Sequence, residues 1–71
     1  MSSNATKGVI SFVREYEAYG HTWYDVIYST GRAFTFIDKN LPKTVLNFIS
    51  KAKAKHQYDR TVDRIEVIYR A

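Results

Sequence analysis

Cysteine is absent from the 71-residue chain, proline occurs once and glycine three times. Without cysteine there is neither a disulfide framework nor a thiolate metal site, so packing and backbone hydrogen bonds must hold the fold. The two histidines, His21 and His56, lie far apart and match no metal-ligand spacing. No apolar run approaches the ~18 residues of a membrane span, and the polar start MSSNATKG has no secretory h-region. Also missing are a serine or cysteine nucleophile motif, a phosphate-cradling glycine loop and any cluster of carboxylates. These absences point away from an enzyme and towards a cofactor-free, cytoplasmic binding domain that stays off membranes.

What is present suits one small domain. The chain is near the lower size limit for folding alone, so its core is modest. An apolar share of 45%, with 15% aromatic residues, is too high for disorder. Residues 1–7 read as a flexible N-terminal tail and residues 8–71 as a single, monomeric α+β domain. The net charge of +4, from 11 Lys/Arg against 7 Asp/Glu, suits a polyanion or an acidic protein surface.

The stretch VISFVREYE is rich in β-branched and aromatic residues and reads as a strand. Val9, Phe12, Val13 and Tyr16 also recur at helical spacing, so a helix over 9–19 is the competing assignment. Tyr19-Gly20 then predicts a hairpin turn into TWYDVIYS, and STGR a second turn into RAFTFI. After Pro42, suited to the first turn of a helix, Val45, Phe48, Ile49 and Ala52 form one apolar stripe. Lys51, Lys53, Lys55 and His56 follow, where positive charge complements the helix dipole. QYDRT reads as a loop. VDRIEVIYR reads as a closing strand, with Ile65, Val67 and Tyr69 on one face and Arg64, Glu66 and Arg70 on the other, Ile68 between them. The expectation is β-β-(β)-α-β: an antiparallel sheet of three to four strands, one helix across one face, and the other face open.

Two residue sets bear on function. The aromatic hairpin residues Tyr16, Trp23 and Tyr24, with Lys7, Arg14 and Arg70 as steering charges, form a candidate protein-binding surface. Tyr and Trp give contact area at little entropy cost. In TWYDVIY, Trp23, Asp25 and Ile27 share one face and Tyr24, Val26 and Tyr28 the other, so both faces are substantially apolar. The plainer account of the same tyrosines is a small core supplemented by half-buried rings. The second set, Arg32, Phe34 and Phe36 with Lys51, Lys53 and Lys55, has the basic-aromatic character of an RNA- or DNA-binding strand. Phe34 and Phe36 share one face, however, and serve a core equally well. His21 with Glu17 and Asp25 is a turn grouping with no pocket beside it.

The ordering of a hairpin, a helix and a last strand resembles the small phage-encoded regulators and inhibitors of bacterial RNA polymerase, as found in phages T7 and Xp10. YDVIYST before the helix and RIEVIYRA after it carry the likeness, which spans Val9 to Ala71 loosely. It implies a non-enzymatic host-takeover protein of the bacterial cytoplasm, inhibiting transcription or acting in antitermination, with RNA polymerase as partner and a possible contact to RNA. The positive charge departs from the T7-type inhibitors and favours acidic polymerase surfaces or nascent RNA over mimicry of DNA.

Overall fold

Two tight turns set the first three strands. The computed structural model describes residues 8–63 and 65–71, so the expected tail 1–7, Lys7 included, and Arg64 lie outside the described residues. Strand β1 (Ile10–Ala18) and strand β2 (His21–Tyr28) are joined by Tyr19-Gly20. Both turn residues take positive φ, 54° and 75°, the type I′ geometry that matches strand twist. The segment is therefore a strand, and its helical spacing creates no helical face: Val13 is buried while Phe12 and Tyr16 point to the opposite side. A second turn leads into strand β3 (Ala33–Ile37). There Gly31 at φ 88° donates to Tyr28 O, and Tyr28 N donates to Arg32 O, each at 2.9 Å. Only glycine takes that conformation without strain.

A single 3₁₀ turn, Asp38–Asn40, precedes helix α1 (Lys43–Ala54). Pro42 stands one residue before the helix, at its N-cap, where its carbonyl accepts from the amides of Val45 and Leu46. The apolar stripe lands as its spacing requires. Val45, Ile49 and Ala52 are buried and Phe48 packs against them. His56, at φ 55°, ends the helix in a left-handed cap with Gln57 N donating to Ala52 O.

Five strands form the sheet, more than the three to four expected. The extra one, β4 (Tyr58–Arg60), lies in the segment that reads as a loop, and β5 (Glu66–Arg70) is shorter than VDRIEVIYR suggested. Bonds from Arg70 N to Gln57 O and from Thr61 N to Glu66 O bracket β4, and Tyr58 meets Tyr69 at a ring separation of 6.1 Å. A turn held by Asp63, which accepts from the Thr61 hydroxyl at 2.7 Å, delays the start of β5. Ile65 consequently stays 61% exposed instead of joining Val67 and Tyr69 on the buried face.

The strand order is β3-β2-β1-β5-β4, every pair antiparallel. Helix α1 packs over β1 and β5. Val13, Val26, Val67 and Tyr69 from the sheet meet Val45, Ile49 and Ala52 from the helix, and the described core contains no buried polar residue. Among the described residues, no element lies over the opposite sheet face.

Candidate functional site

Register decides what the open face presents. Neighbouring residues across an antiparallel ladder share a face, so three rows can be read off directly. Phe12 pairs with Ile27, which pairs with Ala33. Arg14 pairs with Asp25 and Ile68, and Asp25 with Thr35. Tyr16 pairs with Trp23 and Glu66, and Trp23 with Ile37. Apolar side chains thus flank a polar middle row.

The middle row is internally satisfied. Arg14 donates from Nη1 to Asp25 Oδ2 at 3.1 Å and from Nη2 to Glu66 Oε1 at 2.7 Å, with its guanidinium 4.6 Å from the Tyr16 ring centroid. Asp25 Oδ1 also accepts from the Tyr16 hydroxyl at 3.2 Å and from the Thr35 hydroxyl at 2.7 Å. Hydrogen bonding to Glu66 pushes the Arg14 guanidinium up, and the same bond pulls the Glu66 carboxyl down. Desolvation, then the Asp25 charge, raises the Tyr16 phenol. At the rim Arg70 pairs with Asp59 at 2.6 Å. Trp23 is anchored by its indole N–H, which donates to Ala18 O at 2.8 Å.

The charge balance of this face is the informative quantity. Arg14 and Arg70 stand against Asp25, Glu66 and Asp59, although the whole chain carries +4. The cationic excess lies elsewhere, on exposed Arg32, Lys39, Lys43, Lys51, Lys53, Lys55 and Arg60. Neither arginine expected to steer a partner has a free guanidinium.

Tyr24 must be separated from the group in which the sequence placed it. It faces the helix side, opposite Glu15, while Tyr16 and Trp23 share the open face. Burial first, then the Glu15 charge, pushes its phenol up to about 12. The Tyr69 hydroxyl donates to Glu15 at 3.0 Å, and its phenol is likewise raised, mainly by burial. Phe12, Ile27, Ile37 and Ile68 belong to the open face as well; the sequence placed Ile27 with Trp23 and Ile68 with Glu66, but Phe12 and Ile37 were missed. Their alternation with Arg14, Trp23 and Thr35 was the available signal.

The second residue set does not assemble. Phe34 and Phe36 pack against the helix-side core, with Phe34 edge-on to Tyr28 at 5.7 Å. Lys53 sits 5.8 Å from the Tyr69 ring on β5, three strand positions from β3, so about 14 Å separates their backbones. Lys51 lines a different place, a cleft of about 480 Å3 between the start of β1 and the helix, with Ile10, Tyr28, Thr44 and Phe48. His21 shares the open face with Asp25, about 13 Å along the strand, and Glu17 projects to the other side, where it accepts from the Thr22 hydroxyl. Among the described residues no group of three or more His, Cys, Asp or Glu could hold a metal ion, and no helix is long and apolar enough to cross a membrane.

The chain is thus a small α+β domain, a five-stranded antiparallel sheet with one helix on one face. Searches of family models, curated proteins and solved structures find no match to it.

Proposed function

We propose that the domain is a protein-docking module whose contact surface is the open sheet face, centred on Trp23 and Tyr16. One observation carries this reading: the face is aromatic and aliphatic, and its charges are already matched within it. A phosphate-binding surface needs cations left free for the ligand, whereas a protein interface favours Tyr, Trp and apolar groups around satisfied polar pairs. Helix lysines outside the face supply long-range attraction to an acidic partner without entering the contact.

The partner we propose is bacterial RNA polymerase, with the domain acting as a phage-type inhibitor or antitermination factor. That choice rests on the resemblance in size and element order, which the open face complements. Trp23 is the sole tryptophan, so its fluorescence reports directly on the proposed contact. Titration with purified polymerase core and holoenzyme should shift and saturate the emission, and a run-off assay should show altered product yield or length. Binding should persist at raised salt and after nuclease treatment. Unchanged emission at saturating polymerase would refute this partner. Binding abolished by nuclease would return the case to Arg32, Phe34, Phe36 and the lysines.

A further inference from the structure

The two edges of the sheet differ in a way that the docking face does not explain. Edge strands expose unpaired backbone groups, and proteins usually blunt them with charge, proline, bulges or brevity. Strand β4 is blunted: it has three residues, two of them Asp59 and Arg60, and Asp59 is tied to Arg70. Strand β3 has none of these devices. Its five residues, AFTFI, carry no charge, proline or bulge, and the 3₁₀ turn after it packs back towards β2 instead of over the edge.

Ladder parity shows what this edge offers. Tyr28 N donates to Arg32 O, so Tyr28–Arg32 is a hydrogen-bonded pair, and the alternation makes Val26–Phe34 and Tyr24–Phe36 hydrogen-bonded pairs too. The backbone groups of Phe34 and Phe36 therefore point inward to β2. Those of Ala33, Thr35 and Ile37 point outward, and Ala33 and Thr35 are exposed.

The segment Arg32–Asp38, RAFTFID, is also self-complementary when run against itself. Placed antiparallel about a two-fold axis at Thr35, Ala33 faces Ile37 of the second copy and Thr35 faces Thr35. These are the outward-pointing residues, each able to form the paired N–H···O bonds of a ladder. Phe34 then faces Phe36 of the other copy, twice, in the non-hydrogen-bonded pairs whose side chains approach most closely. Just beyond the ladder at both ends, Arg32, which precedes β3, stands opposite Asp38 of the other copy, the first residue of its 3₁₀ turn. Among the described residues neither of these two enters an ion pair within its own chain.

From this edge, its register and its charge complementarity we infer that β3 is a homodimerisation strand, pairing with β3 of a second copy about Thr35. The pairing joins two sheets into one ten-stranded sheet. Both helices lie on one side, and both open faces, with their Trp23 residues, lie on the other, so the dimer is a bivalent docking surface. A five-residue edge buries less than the ~1,200–2,000 Å2 of stable interfaces. The dimer is accordingly weak and concentration-dependent.

Sedimentation equilibrium of the full chain from about 5 µM to about 1 mM tests this directly. The expected result is a monomer passing to a dimer; a monomer throughout overturns the proposal, including the case in which the edge serves only a partner's strand. Arg32→Asp and Asp38→Arg should each weaken the dimer about tenfold, since each puts like charges opposite one another at both ends. Mixing the two variants should restore dimers. In the mixed pair one copy carries carboxylates at both positions and the other carries guanidiniums at both, so each end is complementary. Dimers that ignore these changes, or mixtures that fail to recover, overturn the register. Thr35→Pro gives a second check that does not depend on charge. It removes an outward N–H that the monomer does not use, and proline is tolerated on an edge strand in that setting. Circular dichroism should be retained and the dimer lost. Polymerase titration through Trp23 reads a different surface, so failure of one idea leaves the other standing.

Discussion

Trp23→Ala and Val26→Ala, three residues apart on one strand but on opposite faces, separate docking from folding. Removing Trp23 loses the N–H···O bond to Ala18, worth about 0.5–1.5 kcal/mol net, and the cross-strand pairing with Tyr16, worth about 0.2–1 kcal/mol. Together these cost about 0.7–2.5 kcal/mol. A domain of this size holds about 4–10 kcal/mol, so the variant remains folded with Tm lowered by about 3–20 °C. Val26 is fully buried. Its truncation removes transfer free energy of about 0.8 kcal/mol per methylene-sized group and leaves a cavity, for about 2–3 kcal/mol in all. Binding should follow the reverse order. Trp23→Ala deletes an interface anchor worth at least about 2 kcal/mol, or about thirtyfold in affinity. Val26→Ala, measured cold enough to stay folded, should bind as the parent does. Calorimetric melts and polymerase titration by interferometry supply both quantities. Equal binding by Trp23→Ala and the parent, or a Trp23→Ala domain that unfolds outright, would refute the assignment of Trp23 to an interface.

Other outcomes follow from the core and from the titrating groups. Ile49→Ala, in the middle of the buried helix stripe, should cost about 2–4 kcal/mol and free α1 from the sheet, read as lost helical ellipticity at moderate urea. Glu66 has a folded pKa below its ordinary 4.5, so its contribution is complete above that value and is lost as pH falls through the depressed one. Melts from pH 7 to pH 3 should show a decline that is shallower in Glu66→Gln, and parallel curves would count against the Arg14–Glu66 bond. Tyr24 and Tyr69 have raised folded pKa values. Stability should therefore be complete below the ordinary tyrosine value of 10.0 and fall as pH climbs towards about 12. Absorbance at 295 nm should show these two phenols ionising above the ordinary value.

Much of the fold was legible because the relevant signals are local. The Tyr19-Gly20 turn, the alternation in β2 and the stripe Val45, Ile49, Ala52 each rest on neighbouring residues and a fixed backbone period. Strand β4 was not legible, because it is three residues long and only Tyr58 of them favours a strand. It is a strand because β5 lies beside it and supplies partners for its backbone. The site was half legible for the same reason. Alternation placed Trp23, Asp25 and Ile27 together, yet Tyr24 was grouped with Trp23 although adjacent strand residues point to opposite faces.

The sequence alone determined the two hairpin turns, the helix stripe and the necessity of one uncovered sheet face, since a single short helix covers only one side; it left 9–19 open between strand and helix and gave no sign of β4. Only the tertiary structure decided what that face carries. Pairing β1 with β5 brings Glu66 to Arg14 across 52 positions of chain, cancels charges that composition counts as available, and leaves the open face near neutral in a basic protein. The order of strands likewise leaves β3 at an edge while Phe34 and Phe36 pack against the core. Such facts depend on which strands become neighbours, and no periodicity within one strand encodes its neighbour.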